Sequence, residues 1–474
     1  MDDTLTVTSI DGIGAFDHIR RQAMLSKLMS LPTACAMLPF VRLAYGQPSV
    51  YIWQDDDGQT HEVHQGEGGE QGDPLMPHLY ALGQHPALED VRGQLRPGEA
   101  IFAYLDDVYV LCQPDRATEV FNLLATALSA HAGVHVNLGK TKMWKKAGVQ
   151  PPGAETIGPE VWVGGSNVAP AHRGIVVLGS PLGSPEFIGS HTDATLRDQQ
   201  RLLELLPKLP DLQCAWVLLN LCASPRSNHT LRTVPPHQSR SYAEGHDASM
   251  WHCLLGVLGR DADAAQSASS ALDRARCIAQ LPLRLGGLGL RSAVRSAPAA
   301  WWASWADALG LLHARHPQFA QTVRMELERG PAAQSDVLRS VHDAMATLTA
   351  EGAQCPSWQE LVAGTRAPDR GTTPPEPGEW RHGWQYAAAT RRENHYRERA
   401  LLPSLDVHTA ALLQSQSGIL SGRAFGLLPT APETSFMPER MRVLLARRLR
   451  LELPLAPRNC SCGRALDALG RQDA

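Results

Sequence analysis

Apolar and β-favouring polar residues alternate from Thr4 to Ile10 and run into Asp11-Gly12, which predicts a strand ending at a turn; a helical pattern follows from Asp17 to Met29. Two β-type runs, Ser49 to Trp53 and Thr60 to Val63, flank Asp55-Asp56-Asp57-Gly58, and the Asp-Gly step predicts a hairpin between them. Between Ile101 and Leu111, two β-rich arms are interrupted only by Asp106-Asp107. Ala117, Val120, Phe121, Leu124 and Leu128 then recur at helical spacing, an apolar stripe suited to packing on a sheet. The first 150 or so residues therefore read as α+β, with helices covering one face of a mostly antiparallel sheet. Beyond Thr192 the pattern turns helical, as in Leu196 to Leu206, and the stretch Gly364 to Gly378 has the few apolar residues of a linker.

At 474 residues the chain suggests about three domains. Its 43% hydrophobic and 19% charged residues exclude disorder throughout. The longest charge-free apolar stretches, Leu31 to Val41 and Ser296 to Ala306, are 11 residues each, short of the ~20 that span a membrane. Met1-Asp2-Asp3 is acidic where a secretory or transit peptide is basic, so the expected location is intracellular, nuclear or cytoplasmic. Nine cysteines, scattered except for Cys460 and Cys462, fit a reducing compartment. A net charge of −4 gives no global basic field, so any contact with nucleic acid must be local. Only 6 of the 44 basic residues are lysines, and four of these, Lys140, Lys142, Lys145 and Lys146, fall together with Trp144 among them.

Asp11 closes one predicted strand, and Asp106 and Asp107 sit where two others meet. Taken singly, each reads as a solvated turn. If the strands are neighbours in one sheet, three carboxylates converge, and their repulsion calls for hard cations such as Mg²⁺ or Mn²⁺. Such a set is what two-metal phosphoryl transfer requires.

Four segments in order, Asp11-Gly-Ile-Gly-Ala-Phe16-Asp17, Gln71-Gly72-Asp73-Pro74-Leu75-Met76-Pro77, Ala103-Tyr104-Leu105-Asp106-Asp107 and Asn137-Leu-Gly-Lys140-Thr141, resemble successive palm motifs of reverse transcriptases. The intervals, 95 positions from Asp11 to Asp106 and 34 on to Lys140, are similar to those of the non-LTR (LINE-like) retrotransposon branch. Asn228-His229, Leu231 to Pro236 and Leu281 to Leu290 resemble thumb landmarks of the same elements.

The resemblance covers about residues 1 to 295 and implies a polymerase palm followed by a helical thumb and a mainly helical carboxyl-terminal region. The implied layout is a palm with partial fingers over 1–190, a thumb or connection over 191–295, a helical region over 296–363, a linker over 364–380, and a helical region with a Cys motif over 381–474. The implied activity is RNA-directed DNA polymerisation with Mg²⁺ (or Mn²⁺), dNTPs, an RNA template and a DNA primer, and no membrane. The alternative is an inactive RNA- or DNA-binding remnant.

By position, Asp11, Asp106 and Asp107 would be metal ligands and Lys140 the general acid for departing pyrophosphate. Gly12, Phe16, Gln71 and Gly72 would hold the nucleotide, with the Phe16 ring excluding a 2′-hydroxyl; otherwise Phe16 is a core residue. Lys142, Lys145 and Lys146 would contact the phosphate backbone, or else form a solvated turn. The stretch Gly174 to Gly183 resembles the hairpin that grips the primer end.

Three features depart from the pattern. Met76 stands where the family usually has Ser. Ten residues precede Asp11, so basic fingers strands are expected to be missing and the reading is of an amino-terminally truncated element. Cys460-Ser461-Cys462-Gly463 resembles the opening of a Cys/His zinc motif, but two thiolates cannot complete a four-ligand site, and no zinc is assigned. Arg440, Arg442, Arg447, Arg448 and Arg450 share a predicted helix with an apolar stripe of Met441, Leu444, Leu445 and Leu449.

Overall fold

A computed structural model describes residues 4–70, 72–260, 270–368, 382–453 and 459–467. Gln71 and most of the 364–380 segment lie outside the described residues. The chain divides into two compact units, Met1–Ser190 and His191–Ala474.

The first unit is built on a four-stranded sheet in the order β4-β5-β1-β6, with β1 Thr6–Ile10, β4 Ala100–Tyr104, β5 Asp107–Cys112 and β6 Lys142–Trp144. Every pairing in it is antiparallel, with Thr6 opposite Cys112 and Ile10 opposite Val108. Its helices include α1 Ala15–His18, α2 Arg21–Met29, α3 Leu38–Tyr45, α4 Met76–Gly93 and α5 Ala117–Ala127. The α5 stripe of Ala117, Val120, Phe121 and Leu124 packs with Ile10, Val108 and Val110 of the sheet, as its periodicity predicts.

The helix predicted from Asp17 to Met29 is instead two helices broken at Ile19-Arg20. Tertiary backbone bonds explain the break: the Arg20 N–H donates to the Ala132 carbonyl at 2.8 Å, and the Ile19 carbonyl accepts from Gly68 at 2.8 Å. Both groups are thereby satisfied outside the helical ladder.

The predicted hairpin forms as β2 Ser49–Gln54 paired with β3 Thr60–Gln65. This ribbon stands apart from the main sheet, and Val50, Tyr51, Ile52, Trp53 and Val63 are all exposed. A second two-stranded sheet joins β7 Gly174–Val177 to β8 Ser180–Gly183 through Leu178-Gly179, both at positive φ (47° and 78°). Two such residues in succession give the tight turn whose twist matches the strands.

The second unit is helical throughout its described residues apart from an isolated bridge between Asn459 and Ala465. Trp301, Trp302 and Trp384 are buried in one of its cores, and Trp216 in another. The glycine-rich loop after Leu281 is held by Arg448, whose buried guanidinium donates to the carbonyls of Leu283 (2.8 Å) and Gly287 (3.1 Å). Arg448 is thus a packing residue on the helix Pro438–Arg448, and Leu444, placed in the apolar stripe by sequence, is exposed. Among the described residues no helix is long and apolar enough to cross a membrane.

Candidate active site

Asp11 follows the last residue of β1, and one step beyond the Ile10–Val108 pair the antiparallel register sets it against Asp107, the first residue of β5. The Asp11 carbonyl accepts from Asn137 at 2.7 Å and Ile13 donates to His135 at 2.8 Å, so the chain is pinned on both sides of Gly12. A Cβ at Gly12 would lie 2.8 Å from Val134 Cγ1, which leaves glycine as the residue that fits this close approach.

The β4–β5 turn pairs Tyr104 with Asp107 around Leu105-Asp106. Leu105 has φ of 57°, a left-handed conformation that strains a side-chain-bearing residue by roughly 1–2 kcal/mol. Its carbonyl accepts a 2.5 Å hydrogen bond from Gln84 Nε2 of α4.

The three carboxylates share one field. Burial pushes the Asp107 carboxyl above the usual carboxylate range, the charges of Asp106 and Asp11 push it further, and Lys140 opposes them. Tyr80 of α4 is buried, and its hydroxyl is driven up by burial and then by Asp106 and Asp11. Lys140 Nζ lies 2.7 Å from Asp11 Oδ2, and this bond holds the ammonium above its ordinary value. Asn137 shapes the turn that delivers Lys140: its side chain accepts from Gly139 and its carbonyl from Lys140 and Thr141.

Among the described residues no group of three or more His, Cys, Asp or Glu is placed to hold a metal ion, and Lys140 stands against Asp11. The donor set, the carboxylate oxygens of Asp11 and of the Asp106-Asp107 turn, has the chemistry of a site for a hard divalent cation.

Phe16 of α1 is half-buried and stacks on Tyr80, ring centroids 4.5 Å apart. That stack ties it to the residue that feels the Asp106 and Asp11 charges. Gly72 sits at φ 95° with open space around its α-carbon, and Asp73 beside it caps the turn into α4 through Leu75 N at 2.8 Å. Tyr45 donates to the other Asp73 oxygen, and burial with this bond raises its hydroxyl to about 12. Met76, where a Ser was expected, is buried; its sulfur occupies the space that a Cβ on Gly69 would need.

Buried Arg21 donates to the carbonyls of Gly68 (2.8 Å) and Gln47 (2.6 Å), fixing the segment that leads toward Gly72. The lysines lie along the edge strand β6 and just past it: Lys142 Nζ donates to the Glu160 carbonyl at 3.0 Å, Lys145 is half-buried and Lys146 exposed. On β5, Tyr109 accepts from Leu178 N at 3.1 Å, which joins the β7–β8 turn to the strand that carries Asp107. A cavity of about 430 Å³ lined by Arg20, Lys27 and His131 contains none of the carboxylates.

Sequence reasoning did not single out Gln84, Tyr80 or Tyr109. The available signal for Gln84 was its place in the stripe Met76, Leu79, Tyr80, Gly83, Ala87 and Val91, where a polar amide is out of pattern.

An antiparallel sheet that brings an acidic strand end beside an acidic hairpin, roofed by helices, defines a polymerase palm of the α+β class. Residues 2–179 match the family model described as reverse transcriptase (RNA-dependent DNA polymerase), and the amino-terminal unit is accordingly a reverse transcriptase domain. The chain is 24% identical over 287 residues to the retrotransposable element SLACS 132 kDa protein of Trypanosoma brucei gambiense. That alignment takes in 60% of this chain and 22% of the relative, so the chain spans about a fifth of that protein's length. Among solved structures, telomerase from Candida albicans in complex with a fragment of telomeric RNA gives a TM-score of 0.29 at 11% identity, over 56% of this chain and 48% of that one. Telomerase from Candida tropicalis gives 0.27 at 10%, over 76% and 48%.

Proposed function

We propose that this chain is the polymerase core of a non-LTR retroelement, which extends a DNA primer on an RNA template with dNTPs inside the cell. The observation that carries the proposal is the meeting of Asp11 with the Asp106-Asp107 turn, where the burial-raised Asp107 carboxyl feels both other charges. Asp11, Asp106 and Asp107 would hold Mg²⁺ or Mn²⁺. What such an ion supplies is activation of the primer hydroxyl and neutralisation of the phosphate charge.

The chain's own groups do the rest. In the reaction the primer 3′-oxygen forms a bond to the α-phosphorus while the bond to the bridging oxygen breaks, and pyrophosphate leaves. Lys140 leaves Asp11 and gives a proton to the departing pyrophosphate. Gly12, with Gln71 and Gly72, lines the nucleotide, Phe16 on its Tyr80 platform meets the sugar, and Lys142, Lys145 and Lys146 bind template or primer phosphates.

Primer extension by the purified chain tests the reading. Asp106→Asn should lower the rate by roughly a thousandfold or more while leaving salt-dependent binding of the duplex in place. Extension unaffected by Asp106→Asn would remove the carboxylates from the chemistry. Binding without extension in the unaltered chain would instead favour the remnant alternative.

A further inference from the structure

We infer that Gln84 is a positioning residue for the carboxylate turn: its amide fixes the peptide that joins Leu105 to Asp106 and so orients both aspartates. The inference rests on the polymerase reading above. Gln84 is 2% exposed and lies on the apolar face of α4 with Tyr80, Gly83 and Ala87. Burying an amide there is unfavourable unless its hydrogen bonds are met. Only one side is met. Nε2 donates to the Leu105 carbonyl at 2.5 Å, whereas Oε1 has no partner among the described residues. A glutamine kept for packing alone would be replaced to advantage by an apolar residue of the same shape, because the unpartnered Oε1 weakens the fold.

What the side chain accomplishes is local to the turn. Leu105 is one of three non-glycine residues at positive φ among those described, and its strain favours rotation of the Leu105–Asp106 peptide. The Leu105 C=O and the Asp106 N–H belong to one planar unit, so a donor clamped on the carbonyl sets the plane from which the Asp106 backbone departs. Asp107 follows directly and starts β5. α4 begins just after Gly72 and Asp73, so one helix links the nucleotide-side turn to the carboxylate turn.

Four measurements on the full chain test the inference: Mn²⁺ affinity by electron paramagnetic resonance, amide exchange over residues 104–108, the thermal transition, and primer extension. Gln84→Met, isosteric but without the donor, should weaken Mn²⁺ about tenfold and lower kcat by a similar factor with the KM for dNTP nearly unchanged. It should also speed exchange in the turn while the thermal transition stays close to that of the unaltered chain, since a merely structural role would move the transition first. Leu105→Gly in the Gln84→Met background should restore most of the Mn²⁺ affinity, because glycine adopts positive φ without strain. Gln84→Leu, which likewise lacks the donor, should reproduce the loss and covers the case that Gln84→Met does not fold.

If Asp106→Asn loses Mn²⁺ while both Gln84 variants keep it, with exchange unchanged, the role of Gln84 is overturned and the metal reading stands. If Asp106→Asn binds Mn²⁺ as the unaltered chain does, the metal reading itself is overturned, and this inference with it.

Discussion

Phe16 shows how a single residue can be both legible and incomplete in sequence. The family resemblance assigns it to the nucleotide sugar, and its half-buried ring stacks on Tyr80. Phe16→Ala should therefore raise ribonucleotide incorporation relative to dNTP by about 10–100-fold, as competition assays on one template would read; unchanged discrimination returns Phe16 to the core. Asp11, Asp106, Asp107 and Lys140 were legible only together, through motif segments that follow one another in order, because an Asp or Lys in a turn is commonplace when taken singly. Gln84, Tyr80 and Tyr109 were not, because their roles depend on partners 21 to 69 positions away that only the fold supplies. Met76 was legible as a departure but not as a packing choice, since its space is made by Gly69 across a turn.

At the level of elements, β1, the β4–β5 hairpin and α5 follow from β-rich runs and helical spacing, although β1 and β5 are central strands that bury residues on both faces. The α1–α2 break does not, since it arises from bonds to Ala132 and Gly68 that no local pattern announces. In the second unit, the helix Val407–Ser415 is capped by Asp406, whose carboxylate accepts from the Thr409 N–H at 2.9 Å and the Thr409 hydroxyl at 2.6 Å. The Thr409 hydroxyl, and then its N–H, hold the Asp406 carboxyl below its ordinary value. A depressed folded value means the cap's contribution is complete above the unfolded carboxylate pKa, near 3.9, and is lost as pH falls through the lower folded one. Asp406→Ala should remove about 1 kcal/mol at neutral pH, whereas Asp406→Asn keeps the cap and flattens its acid-side slope, both measurable by urea unfolding at pH 7 and below pH 4.

For the whole molecule, a net charge of −4 means that attraction to nucleic acid must come from a patch and not from the bulk. Replacing Lys145 and Lys146 together by Ala should lower the magnitude of the slope of log K against log salt by about 2 if each contacts one phosphate. A titration of primer–template binding across salt concentrations gives that slope, and an unchanged value would return both lysines to a solvated turn.

The β2–β3 ribbon has a consequence for how the chain behaves in bulk. It carries Ile52 at 72% and Trp53 at 58% exposure on opposite faces, and the outer edges of its two strands are not paired into a larger sheet. Backbone groups along such edges are a template for further strands, and apolar faces add adhesion on both sides. The ribbon is therefore one place where crowded copies of the chain can adhere edge to edge, a liability set by a few surface residues and separate from the stability of either core.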